Sequence, residues 1–269
     1  ARMPDTEFQF FVETPADPEF IKKLASHDAL KLGSLDTAPL VGFDVLLRSP
    51  GISPYRPALK RAKDAGVRIV SPSSLWFAAH PDAKTVCVTG LRVQLAGNIG
   101  LPLLACKVDD IDWWVIELSS YQLSDLQARP DIGVLLNLSP EHLDWHGGVE
   151  TYMNDKLRLA RLTETGGLVL NAADSMLRRE FSAVAGATWF NSGEGIWFEG
   201  RQFMDDETNL EVEMPANMPG KHNRSNVAAA LTVIRRAGFR LDAAVASLSS
   251  YQSLPHRLQV LGESDGICW

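Results

Sequence analysis

Apolar residues fall into short runs, separated by stretches in which they recur every three or four positions. Phe8 to Val12 reads as a strand, and so does Asp44 to Leu47, which runs into the turn Ser49-Pro50-Gly51. Pro57 suits the first turn of a helix. Leu59, Ala62 and Ala65 give that helix an apolar face, and Gly66 can cap its end. Val67 to Val70 is the next strand, so the segment is a strand-helix-strand unit, which favours a parallel sheet.

A second series begins at Val86 to Thr89 and continues with Trp113 to Leu118, Ile132 to Leu138 and Leu168 to Asn171. These runs are continuously apolar, as expected of parallel strands covered on both faces. Thr151 to Leu162 reads as a helix, and Ser225 to Ala237 as another. The second carries Val227, Ala230, Leu231 and Ile234 on one face, with Gly238 as its stop. The expected architecture is α/β, with a first domain over 1–80, a central domain over 81–253, and a short segment, 254–269, leading into a further domain. One junction departs from the pattern. The strand ending at Thr89-Gly90 is followed at once by a strand-like Arg92 to Leu95, whereas parallel neighbours need a crossover of about a dozen residues. The expectation is a break in covalent continuity between Gly90 and Leu91, and truncation after Trp269.

Composition narrows the classes. Of 269 residues, 45% are hydrophobic and 22% charged, which argues against disorder. The net charge of -7 argues against a general nucleic-acid binder, although helix N-termini can still hold a nucleotide. The cysteines, Cys87, Cys106 and Cys268, are odd in number and form no CxxC pair, so neither a disulfide framework nor a zinc site is expected. No apolar run approaches the roughly 20 residues of a membrane span, and no signal peptide is visible. A cytoplasmic, monomeric enzyme is the expectation.

Five segments carry candidate chemistry. Glu117 ends a buried strand and is followed by Ser119-Ser120-Tyr121-Gln122; a carboxylate there lies where parallel sheets bind ligands and suits Mg2+. The alternative is a solvated strand-end acid. Asn137 to Gly147 gathers His142, His146, Glu141 and Asp144 in one loop, able to serve a metal or phosphate, or else only to hydrogen-bond locally. Lys156 borders an apolar helix face, between Tyr152 and Ala160. It could snorkel to solvent, or be buried, lose its proton and add CO2 to become an anionic carbamate. Asn223 and Asn226 stand three apart at a helix start, placed to read a purine edge or simply to cap. Arg257, in Leu254-Pro255-His256-Arg257, could clamp a phosphate or sit in a solvated hinge.

Taken in order, these segments resemble the Mur ligase family: Val86-Cys87-Val88-Thr89-Gly90, Gly97-Asn98-Ile99-Gly100-Leu101-Pro102, Glu117 to Gln122, Glu141-His142-Leu143-Asp144 with Lys156, Gly220-Lys221-His222-Asn223 with Asn226, and Leu254 to Arg257. The likeness covers essentially the whole chain. Ser49-Pro50-Gly51-Ile52 and the Gly97 to Pro102 run point to its glutamate-adding branch, and Ser53 to Pro57 with Pro140 to Gly147 to a variant adding L-glutamate. The resemblance implies a Rossmann-like UDP-binding domain followed by a P-loop-type mononucleotide-binding domain with a mainly parallel sheet. It implies ATP-dependent joining of glutamate to UDP-N-acetylmuramoyl-L-alanine through an acyl phosphate. Glu117, His142 and a carbamylated Lys156 would serve Mg2+. Thr89, Gly90, Asn223, Asn226 and Arg257 would contact ATP. Glu13, Thr14, Ser49, Gly51, Asn98, Ser119, Gln122 and His142 would contact the UDP substrate. The family's Gly-Lys-Ser/Thr loop does not follow Gly90, so a non-catalytic UDP-sugar-binding module is a competing reading, and a folylpolyglutamate-synthetase-like ligase another.

Overall fold

The computed structural model describes residues 7–13, 22, 30–89, 96–97, 103–106, 111–199, 202–205, 214, 218, 220–251, 263–264 and 267–268. They belong to two units, Ala1–Pro72 and Ser73–Trp269. In the first, β1 (Phe10–Val12) pairs in parallel with β2 (Leu30–Leu32), and β3 (Val45–Leu47) with β4 (Arg68–Val70). Helix α1 (Pro57–Asp64) connects β3 to β4, with Pro57 in its first turn. It buries Ala58, Leu59 and Ala62 beside Leu35, Leu40 and Val67. Ala65, expected on that face, is instead the exposed C-cap, one residue past the helix, and Gly66 turns the chain at φ 91°.

Helix α2 (Pro72–Ala79) has Pro72 as the last residue of the first unit and the rest in the second. A six-stranded parallel sheet follows: β5 (Thr85–Thr89), β6 (Ala96–Gly97), β7 (Trp114–Glu117), β8 (Ile132–Leu135), β9 (Leu168–Asn171) and β10 (Thr188–Phe190), ordered β10-β9-β8-β5-β7-β6. Between the strands lie α3 (Ser120–Leu123), α4 (Leu143–His146), α5 (Val149–Leu162) and α6 (Ser175–Phe181). The hairpin β11 (Trp197–Glu199) and β12 (Gln202–Met204), helices α7 (Lys221–Arg236) and α8 (Leu241–Leu248), and the pair β13 (Glu263–Ser264) and β14 (Ile267–Cys268) complete the described elements.

Both faces of this sheet are covered, which is why its strands read as unbroken apolar runs. Side chains alternate along a strand: Val86, Val88, Val134 and Val169 join the core on the α7 side, with Val227 and Leu231. Cys87, Ile116, Leu135 and Leu170 join the other, with Leu157 and Leu159 of α5 and Trp76 of α2. Each fully buried Val or Leu contributes roughly 1.5–3 kcal/mol relative to exposure. β7 departs from the pattern, because Val115 is exposed, and β8 ends at Leu135 rather than Leu138. Helix α7 starts four residues before the expected Ser225, and Ala230 faces outward while Ala228 and Ala229 are buried. The expected strand Arg92 to Leu95 and the Gly90–Leu91 junction lie outside the described residues.

Candidate active site at the carboxyl ends of the central strands

The chain places β6 and β7 on one side of β5 and then crosses to β8, β9 and β10 on the other, so the winding reverses around β5. In open parallel sheets, ligands bind outside the carboxyl ends of the strands at such a reversal. Thr89 ends β5 and Glu117 ends β7, and both are buried.

Helix α5 brings Lys156 to the same place. Its Nζ donates a hydrogen bond to Thr89 Oγ1 at 3.1 Å, and the residue is only 8% exposed. The snorkelling alternative therefore gives way to a buried amine. Burial pushes the ammonium below the ordinary lysine range, opposed by the negative charges of Glu141 and Glu117. Among the described residues Lys156 forms no ion pair, and its Nζ lies 6.0 Å from the centre of the Tyr152 ring. An ammonium removed from water is costly, and loss of the proton relieves that cost.

His142 sits in the loop between β8 and α4 and is exposed. Its backbone is left-handed, φ 54°, which is uncommon for a residue other than glycine, and its carbonyl accepts from Trp145 and His146. Its ring lies 5.0 Å from that of Tyr121, which stacks on Trp145 at 4.3 Å. His146, at the end of α4, is 1% exposed. Its Nδ1 is 2.6 Å from Asp155 Oδ2, and its Nε2 is 3.0 Å from Ser120 Oγ. Burial lowers the His146 pKa and the Asp155 contact raises it, with burial dominant. In the neutral imidazole that burial favours, Nδ1–H donates to the carboxylate and Nε2 accepts from the serine hydroxyl. The sequence marks His146 as one of two loop histidines and Ser120 as part of a motif, but not Asp155 or the contact that joins the three.

Ser119 and Gln122 use their polar groups locally. Ser119 is the N-cap of α3 and accepts from the Gln122 backbone, while Gln122 Oε1 accepts from the Ser119 backbone at 3.0 Å. Gln122 Nε2 donates to Ser73 Oγ. Asn223 and Asn226 are half-buried in the first turns of α7, whose N-cap is Gly220, so neither asparagine is the cap. A network invisible to local pattern holds this helix. Asn191, left-handed at φ 59°, donates from Nδ2 to Asn171 Oδ1 at 2.9 Å and to Ser225 Oγ at 2.7 Å. Asn171 in turn donates to the Leu136 carbonyl.

In the first unit, Ser49 and Gly51 are exposed in the loop after β3. Buried Arg48 donates to the carbonyls of Ser49 and Ile52 and so holds that loop. Glu13 accepts from Arg56 through both oxygens and from the Leu35 backbone, contacts that hold its carboxyl below the usual range. Thr14, Gly90, Asn98 and Arg257 lie outside the described residues. Among the described residues, no three His, Cys, Asp or Glu side chains gather to hold a metal. No helix among them is long and apolar enough to cross a membrane.

Two family models match the chain. The family described as Mur ligase middle domain matches residues 82–234, and that described as Mur ligase MurD-like, N-terminal domain, matches residues 7–71. A Xylella fastidiosa (strain Temecula1) protein named UDP-N-acetylmuramoyl-L-alanine--L-glutamate ligase is 39% identical over 259 residues, covering 86% of this chain and 55% of its own length. A protein of the same name from Xanthomonas oryzae pv. oryzae is 37% identical, covering 84% of this chain and 55% of its own. The chain thus spans about half the length of the curated relatives it matches. Among solved structures, the Neisseria meningitides UDP-N-acetylmuramate:L-alanyl-gamma-D-glutamyl-meso-diaminopimelate ligase has a TM-score of 0.58 at 16% identity, covering 91% of this chain and 90% of that one. The Thermotoga maritima MurF ligase in complex with ADP has a TM-score of 0.55 at 19% identity, covering 86% and 71%. At those identities the structures share the fold alone. The middle-domain match, however, takes in more than half of the sequence and contains Thr89, Glu117, His142 and Lys156, so the chain belongs to the Mur ligase family.

Proposed function

We propose that this chain is the UDP-substrate- and ATP-binding part of a cytoplasmic, monomeric ligase that joins glutamate to UDP-N-acetylmuramoyl-L-alanine in peptidoglycan synthesis. The observation that carries the reading is the buried amine of Lys156 beside Thr89 and Glu117 at the carboxyl ends of β5 and β7, within the family match. The relatives' shared name favours L-glutamate over D-glutamate. The first domain, 1–80, would take the UDP substrate and the central domain, 81–253, would take ATP, with 254–269 leading onward.

In the reaction, the L-alanine carboxylate attacks the γ-phosphorus of ATP, forming an acyl phosphate and releasing ADP. The amino group of glutamate then attacks the acyl carbon, and inorganic phosphate leaves. The chain's residues bind, orient and neutralise charge. The neutral form of Lys156, which burial favours, adds to CO2 with loss of a proton, and the resulting carbamate places oxygen donors at the end of the side chain. The donor set fits Mg2+, which keeps several waters and takes one or two protein carboxylates besides phosphate oxygens. Glu117, the Lys156 carbamate and His142 would serve it. Mg2+ would supply positive charge against the phosphoryl oxygens, which phosphoryl transfer demands. Asn223 and Asn226 would read the adenine edge, with Thr89, Gly90 and Arg257 on the phosphate side. Glu13, Thr14, Ser49, Gly51, Asn98, Ser119, Gln122 and His142 would form the substrate side. Because Glu13, Ser119 and Gln122 are hydrogen-bonded within the chain, they would act chiefly by fixing loops.

The test is phosphate release from ATP in the ligase containing this chain. Release is expected only when UDP-N-acetylmuramoyl-L-alanine and L-glutamate are both present. Release with another UDP-peptide or a folate, and not with either glutamate isomer, would sink the assignment. One observation favours a non-catalytic UDP-sugar-binding module. Only residues 90–95 join the parallel strands β5 and β6, and they contain no Gly-Lys-Ser/Thr sequence. Calorimetric titration separates the two: micromolar ATP binding supports the ligase, and binding of the UDP-sugar alone supports the module.

A further inference from the structure

The three residues proposed to serve Mg2+ come from three separate segments. Glu117 is on β7, directly before the cap of α3; His142 is the N-cap of α4; Lys156 is on α5. One buried side chain touches all three segments. His146 belongs to α4, Ser120 on its Nε2 side is the first residue of α3, and Asp155 on its Nδ1 side is the neighbour of Lys156. Ser120, His146 and Asp155 are all buried. Rings close the surroundings: Tyr152 meets the imidazole edge-on at 5.2 Å, and Trp145 at 4.6 Å. The hydroxyl–imidazole–carboxylate order is that of a hydrolytic triad, but Ser120 is buried away from any substrate, so the group is a strut and not a nucleophile.

We propose that His146 is the positioning residue of this site, setting the β7–α3 loop, the α4 loop and helix α5 in register with one another through its two ring nitrogens. The role is distinct from filling space, because each nitrogen governs a different segment. A carboxamide can reproduce one nitrogen at a time. The amide nitrogen of His146→Asn falls near Nδ1 and preserves the Asp155 arm. The longer side chain of His146→Gln reaches the Nε2 position and preserves the Ser120 arm. The inference rests on the proposed metal site for its consequence, but not for its geometry.

The experiment combines amide hydrogen exchange, followed by mass spectrometry, with Mn2+ binding as a probe for Mg2+, on the full chain. His146→Asn and Ser120→Ala are expected to speed exchange about tenfold in residues 118–123 and to leave α5 protected. His146→Gln and Asp155→Ala are expected to do the reverse. Mn2+ affinity should fall about tenfold or more in each histidine variant, as for loss of an outer-shell partner, while the unfolding transition stays cooperative. If both histidine variants loosen the same residues, or neither loosens any, His146 is a space filler and the proposal is overturned. Equal Mn2+ affinity in the parent and both variants overturns it as well. If the parent chain and Lys156→Ala both fail to bind Mn2+, the metal reading is at fault, and the exchange pattern alone decides the role of His146.

Discussion

At the carboxyl ends of β8, β9 and β10, Asn171, Asn191 and Ser225 are neutral and hydrogen-bond to one another, to the Leu136 carbonyl and to the Ala173 backbone. Asp174 there caps α6, accepting from the backbone of Met176 and Leu177, and also from that of Leu138. Beginning on the adjacent strand, at the ends of β5 and β7, the same sheet buries Lys156 with a hydroxyl as its hydrogen-bond acceptor, and burial lowers its pKa. The first cluster resembles architecture: polar groups inside, satisfied at little net cost. The second keeps a charge at a disadvantage. Buried groups with perturbed pKa values gather where chemistry is done, and this contrast supports the proposal that the reaction belongs at the ends of β5 and β7.

The largest expected effect breaks or confirms that contrast. Lys156→Ala should lower ligation by ~1,000-fold or more in the enzyme that contains this chain, the scale of removing a group that stabilises developing charge. Its circular dichroism and cooperative unfolding should be unchanged. Steady-state phosphate release is the measurement, and parental turnover in this variant would erase the distinction between the two clusters.

The neutral cluster should respond in the opposite sense. Asn191→Ala strands two partners, Asn171 and Ser225, and should cost about 1–3 kcal/mol of stability in urea unfolding. It should leave the Lys156 amine as reactive as before. Asn223→Ala and Asn226→Ala test the helix which that network holds. Each should weaken ATP binding about tenfold, as for a lost hydrogen bond of about 1.4 kcal/mol, with UDP-substrate binding unchanged.

The smallest effect is on the alkaline limb of stability. Burial raises the Tyr152 pKa to about 12 from the ordinary 10.0. Between those values the folded chain holds a proton that the unfolded chain releases. The contribution is therefore fully present below about pH 10 and declines as pH rises through 12. Tyr152→Phe should flatten that decline in chemical unfolding between pH 9.5 and about 11; an unchanged slope would show that the ring does not carry it.

What the sequence made legible divides along similar lines. The parallel strands of the second unit were visible because burial on both faces leaves unbroken apolar runs such as Thr85–Thr89. Helix α1 was visible from Pro57 and Gly66, whose backbone preferences are local. The start of α7 was missed because Lys221 to Arg224 are polar and follow Gly220 at φ 94°, so hydrophobic periodicity is silent there. Ala230 was misplaced because alanine fits either face of a helix. Lys156 was legible as a candidate, but its burial was not: adjacent polar residues made solvent equally reasonable, and only packing of α5 against β5 and β8 decides it. The His146–Asp155–Ser120 chain and the Asn171–Asn191–Ser225 chain were opaque. Their partners are up to 26 and 34 residues apart, and no periodicity encodes such a meeting.

The claim that the buried amine of Lys156 is the reactive centre is tested most directly by 13C NMR of the full chain equilibrated with 13C-bicarbonate at mildly alkaline pH. The predicted result is a carbamate resonance present in the parent and in Asn191→Ala, and absent from Lys156→Ala. Superimposable spectra for the parent and Lys156→Ala would contradict it.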